Sequence, residues 1–284
     1  MRIAFLGQPG TFSEQAAHEY FGTFDPLSCL SFDAVFDSVE AGACDAAVIP
    51  IENSQAGSVH QNVDLLLNRN AHIIGETVLR VRHCLIALPG AEKNDIRIVV
   101  SHSQALAQCA RYLHGLRVQT QIVVDTVSGV KLLAERGDRA LAAIASRRAA
   151  ELNAMSILEE DIEDDPNNHT RFFIIARDPE IPTGAAKTSL TFTLVNQPGA
   201  LFHALAGFSR NHVDITRIES HPLQNEGWHY RFYLDVLGAS NEPRVQTALD
   251  ELRQNAIAVR ILGSYPPAET GRHKPHLDAT PPLA

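Results

Sequence analysis

The chain is poor in the residues that staple or anchor a protein. Its four cysteines, Cys29, Cys44, Cys84 and Cys109, include no C-x-x-C pair. That excludes a zinc ribbon or thioredoxin-type motif, and each cysteine reads as a buried thiol in an apolar or mixed segment. Nowhere do about 18 apolar residues run together, so no membrane-spanning helix is expected. The start, Met1-Arg2-Ile3-Ala4-Phe5-Leu6-Gly7, is too short an apolar run for a signal peptide and reads as a first strand. A cytoplasmic protein is the expectation. Basic residues are the minority, 24 against 33 acidic, for a net charge of −9. This argues against a nucleic-acid partner held by a broad basic surface, but not against a local site for a small anion. Apolar residues are plentiful, 45% of 284. That suffices for a full-sized core in one large or two ordinary domains.

Strand and helix signals alternate along the first part. Ile3–Leu6 ends in the turn Gly7-Gln8-Pro9-Gly10, and a helix capped by Thr11 or Ser13 runs to about Tyr20. Asp45–Pro50 reads as a buried strand stopped by its proline. Further strands are expected at 72–78, 84–88, 96–100, 118–124 and 141–145, with helices at 105–113 and 127–136. This is the pattern of an α/β layered sheet. Ligands usually sit at the carboxyl ends of such strands, and the polar clusters 7–13, 50–58 and 101–104 fall there.

The pattern changes after Arg177. Residues 178–187 carry two prolines and a glycine and read as a linker. Then come a strand (188–195), a helix (200–210), strands at 214–220 and 228–237, a helix (242–254) and a strand (258–263). That order, β-α-β-β-α-β, is the ferredoxin-like plan. The expected domains are therefore 1–178 and 187–264. Residues 265–284 hold five prolines and little apolar, which reads as a disordered tail. There is no internal repeat.

Chemistry concentrates in a few segments. In Asn168-His169-Thr170-Arg171-Phe172, Thr170 offers a hydroxyl donor, Arg171 can grip a carboxylate through two parallel bonds and Phe172 can exclude water. The plainer alternative is a capped turn bearing a surface arginine. Pro50-Ile51-Glu52-Asn53-Ser54 follows a buried strand, with Ser54 or Ser58 able to cap the next helix. Ser101-His102-Ser103-Gln104 repeats that layout, and Thr11-Phe12-Ser13 is a third such loop. Three-residue motifs are weak one by one, but these occur in order and can converge on one cleft.

Taken together, Gly10-Thr11-Phe12-Ser13, Pro50-Ile51-Glu52-Asn53-Ser54 with Gly57-Ser58-Val59, Ser101-His102-x-Gln104-Ala105-Leu106 and Asn168-x-Thr170-Arg171-Phe172 resemble the monofunctional prephenate dehydratases. Pro198-Gly199-Ala200-Leu201 and Ile218-Glu219-Ser220-His221-Pro222 resemble their C-terminal ACT domain. The resemblance spans Met1 to about Gly263. It implies a two-lobed catalytic domain similar to periplasmic binding proteins, with the active site in the cleft, and a homodimer or homotetramer. It also implies that Thr170 is essential and that L-phenylalanine is an effector bound between paired ACT domains. Three positions depart from the pattern. Gln8 stands at a proline place, Ser103 replaces a proline, and His221 replaces the arginine of Glu-Ser-Arg-Pro. No chorismate mutase segment precedes residue 1, so a monofunctional enzyme is expected.

The implied reaction turns prephenate into phenylpyruvate, carbon dioxide and water. Aromatisation drives it, and the chemical difficulty is the departing hydroxide, which needs a donor as charge develops. Thr170 is assigned that role, with Glu52, His102 or water relaying the proton. Arg171 is expected to clamp the pyruvyl carboxylate and Phe172 to form a dry wall. Thr11, Ser13, Asn53, Ser54, Ser101 and Gln104 are expected around the substrate. In the second domain, Gly199, Ala200 and Leu201 open a helix whose amides can take an amino-acid carboxylate, with Glu219 and Ser220 at the ammonium end. No metal or organic cofactor is expected. Arogenate dehydratase, a non-catalytic binding protein and a ligand-free dimerisation module are the competing readings.

Overall fold

The computed structural model describes residues 1–180, 182–184, 186–222 and 230–268. The chain first builds β1 (Arg2–Leu6), α1 (Phe12–Phe21), β2 (Asp25–Cys29), α2 (Phe32–Glu40), β3 (Ala46–Asn53), β4 (Gly57–Ser58), α3 (His60–Asn68) and β5 (His72–Arg80). It then crosses to a second lobe: β6 (Cys84–Ala87), β7 (Ile98–Ser101), α4 (Ser103–Gln108), α5 (Ala110–Leu116), β8 (Gln119–Ile122), α6 (Thr126–Arg136), β9 (Leu141–Ala145), α7 (Arg147–Leu152) and β10 (Ser156–Glu160). β11 (His169–Ala176) returns to the first lobe and inserts between β3 and β5. The sheet orders are β2-β1-β3-β11-β5 and β10-β6-β9-β7-β8. This is the expected two-lobed α/β plan.

The C-terminal domain adds β12 (Lys187–Leu194), α8 (Ala200–Arg210), β13 (Ile215–Pro222), β14 (Tyr230–Leu237), α9 (Pro243–Asn255) and β15 (Ala258–Tyr265), in the sheet order β13-β14-β12-β15. Each element falls within a few residues of its expected place. Helix starts carry their signals: Thr11, Ser31, Asp125 and Ser146 accept a backbone N–H at the N-caps of α1, α2, α6 and α7, and Pro243 opens α9.

Several local expectations are corrected. Pro50 does not stop β3, which runs to Asn53. The pairing of β3 with β1 ends at Val48, so the missing N–H of Pro50 breaks no ladder bond on that side. A bulge lies opposite, where Arg171 pairs with Glu52 but Phe172 with Pro50. The helix expected over 105–113 is broken at Cys109 into α4 and α5. The last strand extends to Tyr265, which is fully buried rather than the start of a free tail. Residues 269–284 lie outside the described residues. The helix expected after the 50–58 loop is α3, but its N-cap is Val59, without a side-chain bond, rather than Ser54 or Ser58. The helices α2 and α7 and the strands β2, β4 and β10 had no counterpart in the sequence reading.

The C-terminal sheet has two unlike faces. Leu190, Phe192, Leu234 and Val236 pack beneath α8 and α9. Tyr233, Leu262 and Tyr265 point the other way and join the first lobe's core with Ile73, Phe173 and Ile175. β15 abuts β5 so closely that a Cβ on Gly263 would sit 2.0 Å from the carbonyl oxygen of Ile73. The two domains thus meet through a packed seam.

Candidate active site

The first loop bridges the lobes. Gly10 adopts φ +100°, and a Cβ there would come within 3.0 Å of Ala149 Cα in α7. Only glycine fits both demands. Ser146 Oγ, directly after β9, donates to the Gly10 carbonyl at 2.6 Å, and Lys131 donates to Gln8 Oε1. Glu14, buried in α1, holds Arg148 of α7 through bonds of 2.8 and 3.0 Å and accepts the Gly10 N–H at 2.7 Å. Burial pushes the Glu14 carboxyl up, but the Arg148 guanidinium and the Gly10 amide outweigh it and hold it below its ordinary range. The strand ends of both lobes therefore face each other across this junction.

Thr170 lies inside β11, not in a turn before it. Side chains alternate along a strand, and residues paired across two strands share a face. Thr170 pairs with Asn53, and Arg171 pairs with Glu52. The motif is thereby split between two faces of one sheet.

On the α1 face, the Asn53 amide donates to Thr170 Oγ1 at 2.9 Å and to Asn168 Oδ1 at 2.8 Å. Asn53 Oδ1 accepts the N–H groups of Gln55 and Ala56, which fixes the amide's orientation. Thr170 accepts but donates to no group among the described residues, so its hydroxyl proton is free for a ligand. The buried Asn168 Nδ2 likewise has no partner among the described residues. Nearby, the Phe12 ring packs edge-on to His83 at 5.5 Å, and His83 Nε2 meets Gln108 Oε1 at 2.9 Å. Burial lowers the His83 pKa, so a neutral ring stands there.

The remaining expected residues fall in different places. Thr11 caps α1, and Ser13 is half-buried in its first turn. Ser54 donates to the Asn167 carbonyl and accepts the His169 N–H, tying the loop after β3 to the start of β11. Ser101 is fully buried with Oγ bonded to the Ile144 carbonyl at 2.6 Å, a tie between β7 and β9. His102 caps α4, its Nδ1 accepting the Gln104 N–H, so the neutral ring carries its proton on Nε2. The Gln104 side chain is exposed. Phe172 is not a cleft wall: it is buried with Ile3, Ala16, Ala17 and Val48 beneath α1.

Arg171 and Glu52 belong to the seam. Arg171 bonds Glu76 at 2.6 Å, approaches Asp235 of β14 at 2.8 Å and stacks over Phe173 at 4.7 Å. Lys187 reaches Glu76 at 3.0 Å. Two cations and two carboxylates thus close a neutral buried set. Burial would raise the Asp235 carboxyl, but Arg171 and Lys187 prevail and hold it below its usual range. The clamp role expected of Arg171 does not fit this placement. Glu52 stands 3.8 Å from both Arg171 and Arg217, so its place is also the seam.

Glu219 points into the same seam, accepting bonds from Arg217 and the Ser58 hydroxyl, rather than toward an effector. Ser220 pairs with Phe232 and so faces the other way. There a cavity of about 100 Å³ is lined by Leu194–Gln197, Ala200, Leu201, Tyr230 and Phe232. Gly199 caps α8 in the left-handed conformation, φ +80°, with no side-chain cap; the Ala200 N–H donates to the Gln197 carbonyl at 3.2 Å, which leaves the Leu201 and Phe202 amides of the first turn without a partner among the described residues. Sequence reasoning did not single out His83, Gln108 or Asp235. Each gains its role from partners far away in the chain, and no local signal marks them.

A two-lobed α/β domain with a polar junction, sealed to a ferredoxin-like domain, defines the class. The prephenate dehydratase family pattern matches residues 3–180 and the ACT domain pattern residues 188–254. Arogenate dehydratase/prephenate dehydratase 1 of Arabidopsis thaliana is 42% identical over 282 residues, taking in 94% of this chain and 72% of that protein. The prephenate dehydratase of Arthrobacter aurescens in complex with L-Phe superposes with a TM-score of 0.86 at 33% identity, over 94% of this chain and 90% of its own. GqqA, described as a novel type of quorum quenching acylases, superposes at 0.89 with 36% identity, over 95% and 99%. The chain belongs to the prephenate dehydratase family and carries a C-terminal ACT domain.

Proposed function

We propose that the protein converts prephenate to phenylpyruvate, with L-phenylalanine as the feedback effector. The observation that carries this reading is Thr170. Asn53 holds its oxygen, and its hydroxyl proton has no acceptor among the described residues. A hydrogen bond from that hydroxyl strengthens as negative charge builds on the departing oxygen. As the ring carboxylate leaves as carbon dioxide, its bonding pair completes the aromatic ring and expels the ring hydroxyl. A threonine is too weak an acid to supply the whole proton. Solvent water supplies the remaining proton, with His102 Nε2–H placed to orient that water, and Glu52 is set aside because it shares the Arg171 face.

Carboxylate placement favours prephenate over its amino analogue arogenate, whose ammonium group calls for an unengaged acidic partner. Glu14 is engaged by Arg148, and Glu163 by Arg80 and the His83 N–H. With Arg171 turned away, Lys131 is a cation at the lobe junction suited to a substrate carboxylate. For the effector, the α8 amides beside the small apolar cavity suit the carboxylate and ring of an aromatic amino acid. Coupling then runs through one strand. Asp235 of the ACT sheet holds Arg171, the immediate neighbour of Thr170 in β11, so a shift of the sheet moves the donor.

The test is phenylpyruvate absorbance in alkali after incubation with prephenate, run beside phenylalanine formation from arogenate. Faster turnover of prephenate is expected, with inhibition by added L-phenylalanine. Turnover of arogenate alone would overturn the substrate assignment, and an unaltered rate with L-phenylalanine the regulatory one.

A further inference from the structure

The seam holds a second cluster, on the hairpin side of the Arg171 network. His60 opens α3 of the catalytic domain, while Glu219 and His221 project from β13 of the ACT sheet. One ligating atom from each of the three lies within 4.8 Å of the others. The two imidazole rings stand 5.8 Å apart at an interplanar angle of 72°. Two atoms at the centre are sealed from solvent and have no hydrogen-bond partner among the described residues, His221 Nε2 and Glu219 Oε2. They face each other at 3.5 Å. Buried polar atoms without partners are uncommon in native proteins and call for a cause.

We propose that His60, Glu219 and His221 bind a divalent transition metal of the zinc class, bridging the catalytic and ACT domains. Two imidazoles and one carboxylate select such ions over calcium or magnesium. They form a three-ligand set whose fourth position takes water. Tetrahedral bonds of about 2.0–2.1 Å put donor atoms about 3.3 Å apart. The Glu219–His221 pair is already near that spacing. His60, exposed at the start of its helix, is the side chain free to close the rest.

The surroundings fit the same assignment. Asp64 lies one helical turn beyond His60, on the same face of α3. Its carboxylate stands 3.9 Å from His221 Nδ1, where it favours the tautomer that leaves Nε2 for the metal. The other Glu219 oxygen is fixed by Arg217 at 2.8 Å and by the Ser58 hydroxyl, so the free one is aimed. Charge also balances: a dication and Arg217 stand against Glu219, Glu52 and Asp64. His221 is the residue at which the Glu-Ser-Arg-Pro pattern is broken, and an arginine there has no lone pair to offer a metal.

The test uses the full chain without a histidine tag, stripped with chelator and titrated with zinc chloride by calorimetry. Cobalt(II) absorption serves as a second readout. One zinc per chain and a tetrahedral cobalt spectrum are expected. His60→Ala and His221→Arg should each weaken zinc binding at least about tenfold and erase the cobalt bands. His60 is exposed, so its replacement leaves folding intact, checked by circular dichroism. Absence of zinc binding, or equal affinity in wild type and the double variant, would overturn the site. Neither readout depends on dehydratase activity.

Discussion

The two faces of β11 carry different kinds of chemistry on adjacent residues. Toward α1, Thr170 sits in a sparse neutral network whose donors are partly unused. Toward the ACT sheet, Arg171 sits in a dense charged network in which every charge is matched. Unused donors can serve a passing ligand, whereas a closed ionic set serves position. A strand one residue thick is the whole separation between them.

That contrast can be broken from either side. The largest effect is expected from Arg171→Met, which leaves the fully buried Asp235 without its cation. Stability should fall by about 3–5 kcal/mol, read as a lower urea midpoint. The fraction that remains folded should keep its KM for prephenate while losing inhibition by L-phenylalanine. A raised KM with normal stability would return Arg171 to the cleft. Thr170→Val should do the converse, lowering kcat about 100-fold, or about 2.7 kcal/mol, with the urea midpoint unchanged. Near-normal turnover would remove Thr170 from the mechanism.

Asn53→Ala sharpens the same face. Loss of one orienting hydrogen bond, worth about 1.4 kcal/mol, should reduce kcat about tenfold with little change in KM. The smallest effect concerns pH. Glu14, Glu219 and Asp235 are all held below their ordinary values in the fold. Their stabilisation is complete above the unfolded value of about 4 and is lost as pH falls through the folded ones. Urea midpoints should begin to fall below about pH 6.5, where the unfolded chain protonates His83 while the buried ring stays neutral, and fall further below pH 4 as the carboxylates protonate. A level midpoint between pH 7 and 5 would remove His83 from the buried neutral set.

Much of this architecture was readable beforehand, and the unread parts share a cause. The β-α-β-β-α-β order was legible because Pro198-Gly199, Pro243 and the alternating runs of β12 and β14 signal locally. α2 was missed although Ser31 caps it and Val35, Phe36 and Val39 form its stripe. The convergence of the Thr170 and Asn53 motifs was legible because each flanks a buried strand, and β11 pairs with β3 at those two residues. Arg171 was misplaced because the polar run Asn167-Asn168 reads as a turn, where both neighbours could have faced the cleft. Once the segment is a strand, alternation forbids that. Nothing near residue 171 announces that a second domain covers the other face, since Asp235 and Tyr265 lie far along the chain.

The close fit of β15 against β5 has a consequence for shortened chains. β5 is the last strand of its sheet, reads His-Ile-Ile-Gly-Glu-Thr-Val-Leu-Arg, and is covered by the ACT sheet at Gly263. A catalytic domain cut near residue 180 would leave that apolar edge bare, open to pairing with another copy. The ACT domain is therefore expected to guard against aggregation as well, and the isolated first domain to come out of solution rather than to stay active alone.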